Sequence, residues 1–136
     1  MPCPYFEPQR ATLHLEHPRA RLPLLEEYEG MCHAHGEPFA APASLRFPCC
    51  NHGYSRARCE HFPADDGRSC LRYSVLGCTP TALDIICVEE EGYAPVRWHA
   101  VQYILATGRL DPDPGEVPMR AQALAFCRSY LARFSH

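Results

Sequence analysis

The chain has 136 residues, 46% of them hydrophobic and 21% charged, a balance that fits one globular domain around a single core. Its formal charge of -3 provides no global basic field, so nucleic-acid binding would have to rest on a local patch and is not expected. All 13 basic residues are arginine, which together with abundant Ala, Gly and Pro reads as the codon bias of a GC-rich bacterial genome.

The first residues, Met-Pro-Cys-Pro-Tyr-Phe-Glu-Pro, contain neither a basic n-region nor an apolar h-region. No stretch approaches the roughly 18 apolar residues of a membrane span. A cytoplasmic protein with no membrane partner is expected. Nine cysteines is an odd number, and a reducing compartment keeps thiols free for metal or redox chemistry, which disfavours a disulfide framework.

Nine of the fourteen prolines lie at or before Pro63, and clear periodicity begins only beyond Asp65. Residues 1–64 therefore read as connected loops. Within them, residues 22–28 predict a short helix with Pro23 in its first turn and Gly30 as its stop, leaving Cys32 just past the helix. Residues 69–76 and 82–89 are apolar-rich runs flanking Gly77-Cys78-Thr79-Pro80-Thr81, a hairpin signal that sets Cys70 and Cys87 nearly opposite each other. Val96, His99, Ala100, Tyr103 and Ile104 recur at helical spacing over residues 96–107, with Gly108 as a stop. The Asp-Pro-Asp-Pro-Gly run at 111–115 reads as a rigid loop. Residues 118–134 open on a proline and carry Ala121, Leu124, Ala125, Tyr130 and Leu131 in an amphipathic pattern, the strongest helix signal in the chain. The expected fold is α+β, a small single domain: a loop-rich, Cys/Pro-rich half (1–64) packed on a β-hairpin and two or three helices (65–136).

The cysteines are unevenly placed. Cys3, Cys32, Cys49, Cys50 and Cys59 fall in the proline-rich half, where regular structure is weakest, and a bound metal or cluster is the simplest way to order such a region. Cys50 and Cys59 bracket a turn that Gly53 can make with positive φ, directing backbone amides toward whatever lies between the thiolates. Such amides stabilise thiolate or cluster charge, and Arg56 and Arg58 can offset it further. Cys3 and Cys32 complete a four-coordinate set, with Tyr5, Phe6, Phe47, Tyr54 and Phe62 available as a water-poor shell. Of the adjacent pair, Cys50 is the expected ligand, because successive side chains point apart and Cys49 is harder to place.

No C-x₂-C spacing occurs, so the ligands would come singly from different elements. Four thiolates can hold iron–sulfur or zinc. Zinc gains from Cys32-His33-Ala34-His35 and from His52 and His61 beside Cys50 and Cys59. The excess of thiols and the aromatic neighbours favour a [4Fe-4S] cluster on Cys3, Cys32, Cys50 and Cys59, serving electron transfer or redox sensing with a redox partner protein. The alternatives are a zinc-stabilised interaction module and a cluster enzyme with an open iron. Cys70, Cys78, Cys87 and Cys127 read as packing residues. The chain has no P-loop, G-x-G-x-x-G, H-E-x-x-H or G-x-S-x-G. Catalysis therefore has no motif behind it, and Glu89-Glu90-Glu91 reads as a solvated strand end.

Overall fold

A computed structural model of the chain describes residues 2–12, 22–53, 58–63, 70–91 and 94–134. Two antiparallel sheets and a long C-terminal helix make a mixed α+β arrangement. The first sheet has the order β1 (Phe6–Ala11), β2 (Tyr28–Cys32), β3 (Phe39–Ala40). A short helix, α1 (Ala43–Leu45), runs directly into a π-helical turn, Arg46–Asn51. The second sheet is a meander of β4 (Cys70–Cys78), β5 (Ala82–Glu91), β6 (Ala94–Ile104) and β7 (Arg109–Asp111), and α2 (Val117–Phe134) follows.

The N-terminal half is thus not only loops. β1 escapes a periodicity search because Pro8 interrupts it, and a register shift between Pro8 and Arg10 breaks its ladder with β2. Gly30 faces Pro8 in that ladder, and a Cβ on Gly30 would lie 1.9 Å from the Glu7 carbonyl oxygen, so only glycine lets the two strands approach this closely. The helix expected over residues 22–28 is a turn instead. Leu25 N–H donates to Leu22 O at 2.9 Å, Leu25 has φ of 71°, and Leu24 is fully buried, so the chain bends to sink Leu24 before Tyr28 enters β2. A left-handed leucine cannot continue a right-handed helix.

The hairpin of β4 and β5 forms as expected, with Thr79–Thr81 as its connection. Thr79 Oγ1 accepts from Ala82 N at 3.0 Å and from Thr81 N at 3.3 Å, which fixes the turn. Cys87 faces Tyr73, whereas Cys70 faces Glu90, so these two cysteines are not opposite each other. The helix expected over residues 96–107 is instead strand β6. It pairs along the whole of β5, and Val101 and Tyr103 point inward while Trp98, Ala100 and Gln102 face out, a period of two that competes with the helical spacing in the same residues. β-branched and aromatic residues, and a long partner with a free edge, decide for the strand.

The helix expected over residues 118–134 is present as α2, which buries Gln122, Ala123, Ala125, Phe126, Cys127 and Ser129. It packs against β1 of the first sheet and against β4, β5 and β7 of the second. One cluster of buried side chains extends from Cys3, Tyr5 and Phe6 through Leu83, Ile85 and Cys87 to Phe126 and Cys127. Among the described residues, no helix is long and apolar enough to cross a membrane.

Candidate metal centre

Cys3 and Cys50 are joined through the backbone. Cys3 N–H donates to Cys50 O at 3.0 Å, and Phe6 N–H donates to Cys3 O at 3.0 Å, closing the turn that leads into β1. Cys50 comes from the π-helical turn, a wide turn that suits a chain in which Pro48 can donate no hydrogen bond. Gly53 ends it at φ 99°, the positive value its place between Cys50 and Cys59 suggested, and its N–H donates to Cys49 O at 3.0 Å. The π turn is fastened to β2 by Asn51, which is fully buried. Asn51 Oδ1 accepts from Tyr28 N at 2.8 Å, while Nδ2 donates to Tyr28 O at 2.9 Å and Arg46 O at 2.8 Å. This side chain stands in for a strand neighbour. Arg46 adds a shielded ion pair to Glu27, Nε to Oε2 at 3.2 Å.

Cys32 ends β2, opposite Phe6 of β1 and Phe39 of β3. His33 N–H donates to Tyr5 O at 2.8 Å, so pairing continues beyond Cys32 toward the Cys3 turn. Cys59 arrives on a separate turn in which Phe62 N–H donates to Cys59 O at 3.1 Å. Two ring contacts seat that turn: Phe62 lies edge-on to Tyr5 with centroids 5.5 Å apart, and His61 packs on Phe39 at 5.0 Å. Cys3 and Cys50 are buried, and Cys32 and Cys59 are partly exposed.

These thiols act on one another electrostatically. Burial pushes the Cys50 thiol far above its ordinary range, and charge on Cys3, Cys32, Cys59 and Cys49 would push it further. Burial also raises Cys32, while a hydrogen bond from the Ala34 amide opposes the rise and charge on Cys59 adds to it. For Cys49, burial raises the thiol most, Cys59 raises it further and Arg58 lowers it. Cys3, Cys32, Cys50 and Cys59, the four expected ligands, come from separate stretches of chain, and charge on Cys3, Cys32 and Cys59 would each act on Cys50. Cys49 is a fifth thiol, nearly inaccessible and close enough to Cys59 to feel its charge.

Among the described residues, no group of three or more His, Cys, Asp or Glu side chains is set to hold a single metal ion as it stands. His33 Nε2 is bonded to Glu7 Oε1 at 2.8 Å, and His61 contacts Phe39 and His35 and pairs with Glu60 at 3.8 Å. His52 lies against Phe47, centroids 5.7 Å apart. Arg56, Tyr54 and the side chain of Cys70 lie outside the described residues. Cys87 of β5 and Cys127 of α2 are fully buried in the core, and Cys78 is exposed at the end of β4.

No sequence motif marks Asn51, Gln122 or Tyr28. A lone buried amide has no motif; the signal that could have marked Asn51 is its place directly after a candidate ligand. Compared with family models, curated proteins and solved structures, the chain matches none.

Proposed function

We propose that Cys3, Cys32, Cys50 and Cys59 bind an iron–sulfur cluster of the [4Fe-4S] type, and that the protein acts in electron transfer or redox sensing in the cytoplasm. The observation that carries this reading is the backbone bond from Cys3 N–H to Cys50 O at 3.0 Å, supported by the charge that Cys3, Cys32 and Cys59, each from a different turn or strand, would exert on Cys50. Burial raises the proton affinity of Cys32, Cys49 and Cys50, and neutral thiols held in this way are a poor end in themselves. Their natural complement is a cationic group that takes them as thiolates and releases the protons.

The residues present fit such a group. The donor set is sulfur alone, the Ala34 amide points at Cys32 sulfur, and Tyr5, Phe6 and Phe62 supply apolar surround. A bound cluster would supply reversible one-electron chemistry, its potential set by amide hydrogen bonds and burial. The chain's own part is to hold the sulfurs: the buried Cys3 and Cys50 exclude water on one side, and the partly exposed Cys32 and Cys59 form the edge nearest solvent. That edge is where an electron would enter or leave.

Zinc is the competing occupant, and it would make the protein an interaction module. Two of the imidazoles that zinc could use are engaged elsewhere, His33 with Glu7 and His61 with Phe39 and Glu60, which favours the cluster. Iron, zinc and acid-labile sulfide are to be measured on anaerobically purified protein. Brown protein with iron and sulfide in equal amounts is expected; colourless protein with stoichiometric zinc would overturn the reading.

A further inference from the structure

Gln122 sits on the inward face of α2 and is fully buried. Its Nε2 donates to Cys3 O at 2.7 Å and to Phe6 O at 2.8 Å, and its Oε1 accepts from Tyr73 Oη at 3.0 Å. Both amide hydrogens are thus used on the two carbonyls that bound the Cys3 turn. Cys3 is then fixed at both backbone polar groups, its N–H on Cys50 O and its C=O on Gln122. A residue held at both ends has little freedom in its Cα–Cβ direction, so its sulfur is aimed. The other buried thiol is referenced to the same helix by a second route. Asn51, next to Cys50, grips the Tyr28 backbone, and Tyr28 Oη donates to Ala125 O at 3.0 Å and is hydrogen-bonded to Ser129 Oγ.

We infer that Gln122 is a positioning residue of the thiolate site: from the far end of the chain it holds Cys3 against Cys50, so that docking of α2 sets the geometry in which the thiols meet. This rests on the metal-centre reading given above. It goes beyond that reading by assigning a residue on α2 control over the ligand turn. Coupling of this kind is reciprocal, so filling the site also tightens α2 against the first sheet.

The test uses the full chain as wild type, Gln122→Met and Tyr73→Phe. Methionine fills a similar volume and cannot donate; Tyr73→Phe removes the other hydrogen bond of the same glutamine and leaves its two donors in place. Metal-free protein is alkylated under native conditions and the rate at each cysteine is read by mass spectrometry. In parallel, protein loaded with ferrous iron and sulfide is challenged with a chelator. Gln122→Met should label Cys3 about ten-fold faster than wild type, since Cys3 O then keeps only the Phe6 N–H and Phe6 O loses its Gln122 donor, with Cys87 and Cys127 unchanged and iron lost correspondingly faster. Tyr73→Phe should leave Cys3 near the wild-type rate. Gln122→Leu, which also lacks the donors, serves if the methionine variant does not fold. Equal labelling of Cys3 in the Tyr73 and Gln122 variants, or a rise at Cys3 matched at Cys87 and Cys127, would overturn the inference. Wild type that takes up neither iron nor zinc would defeat the metal-centre reading, while the alkylation pattern would still decide whether Gln122 positions Cys3.

Discussion

The two sheets of this protein are held by different means. In the second sheet, strands of 9, 10 and 11 residues share nearly continuous ladders, and Leu71, Tyr73, Leu83, Ile85, Cys87, Val101 and Tyr103 are buried beneath it. In the first, strands of 6, 5 and 2 residues share a broken ladder, and two buried amide side chains, Asn51 and Gln122, make hydrogen bonds that backbone would otherwise make. A long ladder over an apolar layer is self-supporting. A short one needs cross-ties, and these are made beside Cys50, by Asn51, and at the Cys3 carbonyl, by Gln122.

The sharpest way to break that contrast is to remove thiols from each region in turn. Cys3→Ser, Cys32→Ser, Cys50→Ser and Cys59→Ser should each lower bound metal and make residues 1–64 sensitive to protease, because binding free energy there is also folding free energy. Cys87→Ala and Cys127→Ala should keep the metal, at a stability cost of roughly 0.5–3 kcal/mol for ordinary packing changes, and Cys78→Ala, at an exposed position, should keep it with a change of about 0.5 kcal/mol or less. Metal per chain across the series is the measurement. Equal loss in both groups, or full retention without Cys50 or Cys59, would place the site elsewhere.

Gly30→Ala attacks the first sheet without touching sulfur. Its Cβ would be driven into the Glu7 carbonyl, a backbone contact that no rotamer relieves, so β1 and β2 must part near Cys32. A loss of about 4 kcal/mol or more is expected, in the range reserved for strain of this type. Denaturant unfolding of Gly30→Ala beside Gly77→Ala, where a Cβ meets nothing within 4 Å, would check it. A similar loss in both would remove the argument from close approach.

Asn51→Ala should come next in size. It leaves Tyr28 N–H, Tyr28 O and Arg46 O without the partner they have in the folded protein, and each orphaned buried group costs about 1–3 kcal/mol when water cannot replace the bond. Metal should also be held less tightly, since Asn51 follows Cys50 directly. Asn51→Asp keeps the acceptor for Tyr28 N–H and should recover part of the stability. An alanine variant as stable as wild type would show that water satisfies the strand edge.

What could be read in the sequence follows the same contrast. The hairpin and α2 were legible because apolar runs and amphipathic spacing report local structure that its own residues decide. β6 is ambiguous in sequence because Val96, His99, Ala100, Tyr103 and Ile104 fit a helix as well as a strand, and only pairing with β5 separates the two. β1 and β2 were invisible because their partners lie across a chain bend at Leu25 and their core is finished by Gln122, more than 110 residues away. The candidate ligands could be named from chemistry, since thiols crowded into proline-rich loops need a reason. The side chains that aim them could not, because a buried amide has no pattern until its carbonyls are in place.

The smallest predicted effect belongs to the second region, and it tests whether the thiols there are only packing. Burial, chiefly, pushes Cys87 and Cys127 up to about 12 from an ordinary 9.0, with charge on Glu89 adding for Cys87 and charge on Cys87 adding for Cys127, where Arg128 opposes it. Folding thus favours the neutral thiol. Below about pH 9 both folded and unfolded chains carry the proton, and the full contribution is present; as pH rises from 9 toward 12 the unfolded chain gives up protons that the folded chain keeps, and stability falls. The slope is on the order of 1 kcal/mol per pH unit for each thiol. Tyr73, raised by burial and then by charge on the same two thiols, adds its own loss at still higher pH. Denaturant titrations of wild type and the Cys87→Ala, Cys127→Ala double variant at about pH 8 and again near pH 10 should show the double variant losing less over that interval, by about 2 kcal/mol. If the two proteins fall in parallel, these thiols are wetter than their full burial implies, and the second sheet is no more closed to water than the first.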